Sequence, residues 1–385
     1  MRVTHVNKYF FPPHLGGVEQ SLNLLTTHLA AAGHEVSAIV SNEGPATVRE
    51  NVGGVDVLRL SRSIALSSTP IAPGMPAAIR EATRGEHAAD VLHFHFPYPW
   101  GDWSWLVSGA SGPAGMTYHA DIVRQKRMLA VYAPVLRRVL ERMDRIIVGA
   151  PQIAENSPFV SRHLDKVRVV PFAIDTDRLV GNAEMDARVA SARKGRTRPL
   201  VVFVGRLIYY KGVSVLVDAM KDVDADLVII GRGPLEDELR EKAVALGISE
   251  KLTFLAPVDD AELAAWYRAA DVVCLPSTHA TEAYGLVQLE AHACGTPVVS
   301  TNLPTGVPFV NLDGVTGLIV PVGDARALAG ALSRLTTDKE LRDNLGKQAK
   351  ERVFSEFSVP TMVQRTLAVY AEAIESHAQR SGRVQ

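Results

Sequence analysis

Short apolar runs alternate with helix-length segments along most of this 385-residue chain. Each run is bounded by glycine, proline or polar turn residues, which is typical of buried strands. In the first half we predict a helix near 17–32 and strands at 3–7, 35–40, 90–95, 114–119 and 145–149. Strands that alternate with helices indicate a parallel sheet with right-handed crossovers.

The same pattern restarts near residue 199. It predicts a second doubly wound sheet, with strands at 199–205, 225–231, 251–255, 271–276, 297–300 and 317–321. A chain of this length exceeds what one hydrophobic core usually supports, so we predict an α/β protein of two domains. The predicted boundaries are a first domain at 1–172, an interdomain linker at 173–198, a second domain at 199–356, and a C-terminal helix and tail at 357–385.

Composition narrows the class of protein. The chain is 47% hydrophobic and 22% charged, as in globular proteins, and its net charge of -1 argues against nucleic acid as a partner. Its two cysteines lie in apolar surroundings, which favours a reducing compartment. The N-terminal stretch lacks an apolar leader, and no run of about 18 uncharged apolar residues occurs. We therefore expect a cytoplasmic protein.

Two glycines, Gly16 and Gly17, stand between the first strand and its helix in the stretch "HLGGVEQS". They would let a bulky or anionic ligand approach the helix N-terminus. A plain strand-to-helix turn explains them equally well. The G-x-G-x-x-G spacing of dinucleotide-binding folds is missing here and in the second half, which counts against a nicotinamide-dependent oxidoreductase.

Two cations follow the first strand of the second half, in "GRLIYYKG" at 205–212. Arg206 and Lys211 precede a predicted helix, and paired cations at a helix N-terminus suit a diphosphate. The alternative is two exposed surface cations. The stretch is not a phosphate-binding P-loop, because Tyr210 stands where the second glycine is required.

Two carboxylates bracket an apolar segment in "EAYGLVQLE" at 282–290. We predict a helix from near Gly285 to a C-cap at Gly295, so that Glu290 lies within the helix and Glu282 in the preceding loop. The unpaired amide donors of its first turn are those of Gly285, Leu286 and Val287. Amides flanked by carboxylates suit a ligand that carries both anionic and hydroxyl oxygens.

Together these stretches, with "GGVE" after the first strand and "GLIVPVGD" near the end, resemble the retaining nucleotide-sugar glycosyltransferases of family 4. The resemblance covers nearly the whole chain. It implies the GT-B fold, in which two Rossmann-like domains face each other across a cleft. It also implies that the C-terminal helix crosses back to the first domain.

The resemblance further implies a role for each motif residue. Arg206 and Lys211 would bind the donor diphosphate. Glu290 would bind the ribose and Glu282 the hydroxyls of the transferred sugar, helped by the amides of residues 285–287. The remaining assignments are Gly16 and Gly17 near the phosphates or acceptor, His119 in "TYHAD" beside the donor sugar, and Gly231, Arg232 and Val258 flanking the base.

No nucleophile motif is present, and the two glutamates are not the facing carboxylates of a glycosidase. The resemblance implies a front-face reaction in which the departing phosphate oxygen takes the acceptor proton. We expect no cofactor, because the nucleotide-sugar is a substrate, and no metal. His93 and His95 do share one face of a strand, yet a metal site would need further ligands.

Several residues of the first half are candidates for contacts with the acceptor. Residues 124–145 hold seven basic and two acidic residues, so this helix either meets an anionic membrane that carries a lipid-linked acceptor or is simply solvated. Asp121, Arg124 and Lys126 are candidates for an acceptor phosphate. Trp100 and Tyr9 are candidates for stacking on an acceptor sugar, although core packing is the more common fate of such rings.

The sequence also suggests a donor. The stretch "STNLPTGVPFVN" resembles family members that transfer mannose, so GDP-mannose is the preferred donor and UDP-sugars are the alternative. We expect the product to be a cell-surface polysaccharide or glycolipid. A sugar-nucleotide sensor without catalytic activity is the alternative from another functional class.

Overall fold

The computed structural model describes residues 1–12, 16–66, 69–122, 126–179, 181 and 183–382. The chain divides into two compact units. Unit 1 comprises Met1–Ala173 together with Val359–Gln385, and unit 2 comprises Ile174–Ser358. Each unit is built on its own mainly parallel sheet, as the repeated pattern of apolar runs predicts.

Unit 1 contains an eight-stranded sheet in the order β10-β9-β8-β7-β1-β2-β4-β3. All neighbouring strands are parallel except β3 and β4, and β5 and β6 form a separate hairpin. The strands are β1 (Arg2–Val6), β2 (Glu35–Ser41), β3 (Val48–Val52), β4 (Val55–Leu60), β5 (Ile64–Leu66), β6 (Thr69–Ile71), β7 (Val91–Phe96), β8 (Ala114–Tyr118), β9 (Arg145–Val148) and β10 (Val167–Val169). The helices that follow are α1 (Gly17–Ala31), α2 (Met75–Glu81), α3 (Pro99–Ser108), α4 (Lys126–Arg142) and α5 (Pro151–Asn156).

Unit 2 contains a six-stranded, wholly parallel sheet in the order β13-β12-β11-β14-β15-β16. Its strands are β11 (Leu200–Val204), β12 (Asp226–Ile230), β13 (Leu252–Leu255), β14 (Val272–Leu275), β15 (Val298–Thr301) and β16 (Gly317–Val320). Its helices are α6 (Ala183–Arg193), α7 (Val213–Ala219), α8 (Glu236–Ala245), α9 (Asp260–Ala269), α10 (Leu286–Ala293), α11 (Val307–Val310), α12 (Ala325–Thr337) and α13 (Lys339–Glu356).

The last helix, α14 (Val359–Gly382), returns to unit 1. It buries Val363, Val369 and Tyr370 in the same core cluster as residues of α1 and β1. Glu372 on this helix accepts hydrogen bonds from Arg145 and Arg168 at 2.9 and 2.7 Å. The predicted C-terminal helix is therefore observed, and it completes the core of unit 1.

The stretch predicted as a linker differs from that expectation. Residues 183–193 form helix α6, which packs against α9 within unit 2. Val189 and Ala192 pack on an apolar cluster that includes Trp266, and Arg193 forms an ion pair with Asp271 at 2.8 Å. The stretch was interpreted as a linker because its sequence is rich in arginine. Only one side of the helix contributes apolar residues to the core.

The predicted strands are observed with small shifts at their ends. For example, the strand predicted at 199–205 is observed as β11 and the one predicted at 114–119 as β8. Strands β3, β4 and β10 and the β5–β6 hairpin were not predicted. The sequence of β3, "VRENV", is exposed and polar. None of the helices in the described ranges combines the length and apolar character that crossing a bilayer requires.

Candidate functional site

Glycines let the loops at the C-terminal ends of β11 and β12 lie in direct contact. A Cβ atom on Gly231 would lie 2.0 Å from the carbonyl oxygen of Gly205, and one on Gly233 would lie 2.3 Å from that of Leu207. The Leu207 amide also donates to the carbonyl of Arg232 at 2.9 Å. The loop that carries the two predicted cations is thereby held against its neighbour.

A second contact joins the β11 loop to the loop after β14. Gly212 adopts a left-handed conformation with φ +67°, and a Cβ atom there would lie 1.9 Å from the carbonyl oxygen of Pro276. The amide of Thr278 donates to the carbonyl of Tyr210 at 2.8 Å. Since β11 and β14 are adjacent in the sheet, these contacts bring Lys211 and Glu282 together.

Lys211 and Glu282 form a nearly buried ion pair. The distance from Lys211 Nζ to Glu282 Oε2 is 2.5 Å, and the side chains are 12% and 9% exposed. The hydroxyl of Ser277 donates to the same oxygen at 3.0 Å. Both bonds use Oε2, so Oε1 receives no hydrogen bond from the described part of the chain. A buried charge needs such a partner, since desolvation is costly.

Helix α10 begins beside this pair. Gly285 is its N-cap with φ +73°, and a Cβ atom there would lie 2.5 Å from Leu275 Cδ2. The first backbone bond of the helix runs from the Gln288 amide to the Gly285 carbonyl at 2.9 Å, so the amides of Leu286 and Val287 precede the bonded ladder. The predicted start of the helix at Gly285 is confirmed, whereas the C-cap is Cys294, one residue before the predicted Gly295, which is left-handed.

Glu290 is held on both carboxylate oxygens. Oε1 accepts a hydrogen bond from Arg178, and Oε2 accepts one from the Tyr267 hydroxyl at 2.7 Å. Arg178 also pairs with Asp260 at 3.0 Å. Burial lowers the pKa of Arg178, but these carboxylates raise it to a net value above the ordinary one. A ribose hydroxyl at Glu290 would have to share the carboxylate with these partners, and ribose binding stays a prediction.

The other donor-side candidates differ in exposure. Arg206 and Arg232 are exposed, and neither forms a side-chain hydrogen bond or ion pair within the described ranges. Val258 is half-buried and packs on an apolar cluster of unit 2. Arg206 therefore has a cationic group free for a ligand, whereas Lys211 holds a carboxylate.

Three polar residues of this region were not singled out from the sequence. Ser277 directly follows β14, a signal of the same kind that identified Arg206. Arg178 lay in the stretch interpreted as a linker, and Tyr267 lay on an apolar face of α9 without a distinguishing signal.

In unit 1 a row of histidines crosses three neighbouring strands. His5 on β1 pairs in register with His93 on β7, and His95 lies two residues further along the same face. His5 Nδ1 lies 3.1 Å from His95 Nε2, and His95 Nδ1 lies 3.2 Å from His119 Nε2. His119 follows β8, and its ring stacks on Phe172. We call His5, His95 and His119 the histidine chain.

Burial keeps these imidazoles neutral. It lowers the pKa of His5 and of His119 to about 3. The pKa values of His93 and His95 are also well below the ordinary value, chiefly through burial and then through neighbouring histidines. At neutral pH each ring therefore carries one N–H donor and one acceptor nitrogen.

His5, His93 and His95 place one ring nitrogen each within 4.8 Å of one another, as metal ligands do. However, His93 already uses both nitrogens, which lie 2.6 Å from the Tyr370 hydroxyl and 2.7 Å from Thr117 Oγ1. Its ring stacks on that of His95, with centroids 4.5 Å apart. Stacked, hydrogen-bonded rings are poorly arranged to converge on one ion.

Gly16 and Gly17 begin helix α1, but an acidic side chain covers this end. Gly16 is the N-cap in an extended conformation. A Cβ atom on Gly16 would lie 2.1 Å from Glu19 Oε2, so the Glu19 carboxylate occupies the positive end of the helix. A second anion could approach these amides only if Glu19 moved away, and the role predicted for the glycines stays a prediction.

The acceptor candidates already have protein partners. Asp121 accepts hydrogen bonds from the Tyr118 hydroxyl at 2.5 Å and from Ser157 at 2.9 Å. The indole of Trp100 donates to the Ala72 carbonyl at 2.8 Å and stacks on Trp103. Tyr9 is half-buried with Lys8 over its ring. Arg124 and the side chain of Lys126 lie outside the described residues.

Comparison with known proteins gives a consistent result. The model of "Glycosyltransferase Family 4" matches residues 15–178, and that of "Glycosyl transferases group 1" matches residues 185–352. D-rhamnosyltransferase WbpZ of Pseudomonas aeruginosa is 31% identical, with 91% of each chain covered. O-antigen chain mannosyltransferase C of Escherichia coli is 30% identical, with 98% of this chain and 100% of the relative covered.

A solved structure agrees with these sequence relatives. Sucrose-phosphate synthase from Thermosynechococcus elongatus superimposes with a TM-score of 0.78 at 25% identity. The match covers 97% of this chain and 99% of that protein. The similarity therefore extends through both units.

Proposed function

The chain belongs to glycosyltransferase family 4 and has the GT-B fold, and from this we propose that it transfers a hexose from a nucleotide-sugar with retention of configuration. The preferred donor is GDP-mannose. The observation that carries the proposal is the Lys211–Glu282 ion pair at the first turn of α10. It combines a cation, free helix amides and a carboxylate in one strand-end site.

Each part of this site matches one part of a nucleotide-sugar. Lys211 and the exposed Arg206 supply positive charge for the diphosphate as it leaves. The amides of Leu286 and Val287 suit phosphate or hydroxyl oxygens. Oε1 of Glu282 is available to accept from a sugar hydroxyl, while Oε2 stays on Lys211 and Ser277.

Retention and metal independence are parts of the same proposal. The bond between the sugar and the phosphate oxygen would break while the acceptor oxygen bonds to the sugar on that same face, which retains the configuration. The leaving phosphate oxygen would take the proton of the acceptor hydroxyl. Two cations and a helix N-terminus then neutralise the charge that develops on the diphosphate.

The donor and acceptor are proposed from the relatives. One relative is named as an O-antigen chain mannosyltransferase and another as a D-rhamnosyltransferase. These names favour a hexose donor and a growing cell-surface polysaccharide or lipid-linked glycan as the acceptor. They leave the nucleotide to be determined by binding.

The test begins with thermal shift of the full chain against GDP-mannose, UDP-glucose and a dTDP-sugar. We expect the largest stabilisation with GDP-mannose. The best binder is then assayed for sugar release and transfer, with and without a chelator, and the product anomer is determined by NMR. Binding without release or transfer would indicate a sensor. An inverted product or chelator-abolished transfer would contradict the corresponding part of the proposal.

We also propose that unit 1 contacts anionic membranes through helix α4. Val131 on this helix is 82% exposed and Met128 is 37% exposed, and Arg127, Arg137 and Arg138 on the same helix are exposed too. Exposed apolar and basic side chains on one helix suit an interface rich in anionic lipid.

Flotation with vesicles of phosphatidylglycerol and of phosphatidylcholine tests this contact. We expect salt-sensitive binding to the anionic vesicles alone, weakened by Val131→Asp. The matched control is Val244→Asp, because Val244 lies on helix α8 of unit 2 and is 70% exposed. Equal flotation of both variants, or no binding by the wild type, would contradict the proposal.

A further inference from the structure

The histidine chain of unit 1 ends at His119, beyond the C-terminal end of β8. We propose that His5 and His95 are positioning residues that hold His119 in the tautomer protonated at Nδ1. The inference rests on the proposed transferase function only in that His119 is taken to contact the transferred sugar. The tautomer itself follows from the structure of unit 1.

The sheet order creates the chain. Strand β7 lies between β1 and β8, and His95 on β7 is the middle member. Side chains two residues apart on a strand share a face, so His93 and His95 both lie on the side where Tyr370 of α14 is bonded. The four histidine rings are buried, with exposure ranging from 0% for His5 to 7% for His119.

Two arrangements of protons satisfy the chain. His95 is bonded through both nitrogens, and a neutral ring donates through one and accepts through the other. In the outward arrangement His5 donates from Nδ1 to His95, His95 donates from Nδ1 to His119, and His119 keeps its proton on Nδ1. In the inward arrangement both bonds reverse, and the unused proton lies on His5 Nε2.

The surroundings of His5 distinguish these arrangements. His5 Nε2 is fully buried and has no hydrogen-bond partner among the described residues. Buried N–H groups are almost always paired, because an unpaired donor loses its hydrogen bond to water without replacement. The outward arrangement leaves only a lone pair at this position. It therefore places the proton on Nδ1 of His119.

The consequence concerns what His119 can do at the strand end. A neutral ring protonated at Nδ1 can donate a hydrogen bond from that atom but cannot accept one there. It would therefore meet an oxygen acceptor, such as a sugar hydroxyl or ring oxygen. His119 would orient the sugar without contributing a charge, and His5 and His95 would act only through it.

Long-range ¹H–¹⁵N NMR of the full chain, labelled with [¹⁵N]histidine, reads the tautomer directly. The signals of His119 are assigned by their loss in His119→Gln. We expect Nδ1 to have the shift of a protonated nitrogen and Nε2 that of an unprotonated one. The reverse pattern in the wild type would overturn the inference.

A matched set of variants tests the positioning role. His95→Asn keeps an amide donor near the Nδ1 position, whereas His95→Leu removes it. We expect the Asn variant to retain the His119 tautomer and the Leu variant to lose it. His93→Gln alters the neighbouring ring outside the chain and should leave the His119 signals unchanged. Loss of the tautomer in the control alone would contradict the proposed chain.

Turnover supplies the second readout. We expect His95→Leu to lower kcat by about 10- to 100-fold, by analogy with partners that orient metal-bound histidines, and His95→Asn to restore most of it. Unchanged kcat in a folded His95→Leu variant would remove the functional role. If the wild type shows the expected tautomer but transfers no sugar, the transferase proposal fails while the assignment of the proton stands.

Discussion

Unit 2 buries an ion pair at its strand ends, whereas unit 1 buries a row of neutral imidazoles. Lys211 and Glu282 are each other's ion-pair partner, which offsets the cost of burying them. The histidines of unit 1 meet mainly one another and hydroxyl groups, so burial lowers their pKa values. This difference underlies our proposal that unit 2 binds a charged diphosphate and that His119 of unit 1 meets uncharged hydroxyls.

Removing Lys211, the cation of the buried ion pair, should have the largest effect on sugar transfer. Lys211→Ala deletes the charge that we propose faces the leaving diphosphate, and it leaves Glu282 buried without its counter-ion. We expect kcat for sugar transfer to fall by about 100- to 1000-fold. The control is Lys242→Ala, which breaks a 2.5 Å pair with Asp218 elsewhere in unit 2. Near-normal transfer by Lys211→Ala would refute the charged site.

Removing the carboxylate should separate sugar recognition from diphosphate binding. In Glu282→Gln, Lys211 loses its carboxylate partner and is more available to phosphate. We expect transfer to fall by about 10- to 100-fold, and the free nucleoside diphosphate to bind more tightly by about tenfold, or about 1.4 kcal/mol. Turnover and calorimetric titration measure the two effects. Parallel weakening of both would show that the ion pair is only structural.

The sequence predicts the fold and the neighbouring loops of Lys211 and Glu282 for one physical reason. Buried strands are continuous apolar runs, and the polar residues that directly follow them collect at one edge of a parallel sheet. Arg206, Lys211 and Glu282 follow β11 and β14, which are neighbours in unit 2. The approach of Lys211 to Glu282 could therefore be predicted from the ends of these two strands.

The histidine chain and the Glu290 contacts require information that the sequence does not carry locally. His5 and His95 meet because β1 lies beside β7, although they are separated by several elements along the chain. Arg178 reaches Glu290 from a segment without apolar periodicity. In both cases the three-dimensional order of the elements determines the partner.

The contacts of Glu290 should contribute mainly to the stability of the folded protein. Arg178→Ala removes one partner of Glu290 and leaves the Tyr267 hydroxyl as its remaining partner among the described residues. We expect the free energy of unfolding to fall by about 2 kcal/mol, because the pair is mostly buried. The control Asp260→Ala removes the other, largely exposed carboxylate of Arg178 and should cost about 0.5 kcal/mol or less. Urea unfolding of both variants checks this difference, and equal losses would contradict it.

Mildly acidic pH should lower the free energy of unfolding through the buried histidines of unit 1. For a single residue this is the smallest of the predicted effects. His5 has a pKa of about 3 in the folded protein and about 6.5 when unfolded. Between these values the unfolded chain binds the extra proton, so the free energy of unfolding is fully retained above about pH 6.5 and falls as the pH drops toward 3.

For one histidine this loss is about 0.8 kcal/mol between about pH 7.5 and about pH 6. His5→Asn removes the titrating group, so urea unfolding of this variant should depend on pH less steeply than that of the wild type by this amount. His28→Asn is the control, because His28 lies on α1 with its ring nitrogen bonded at an exposed position to the Leu24 carbonyl. A steeper pH dependence in His5→Asn would mean that the imidazole is charged in the folded state, and the neutral row of unit 1 would then no longer contrast with the ion pair of unit 2.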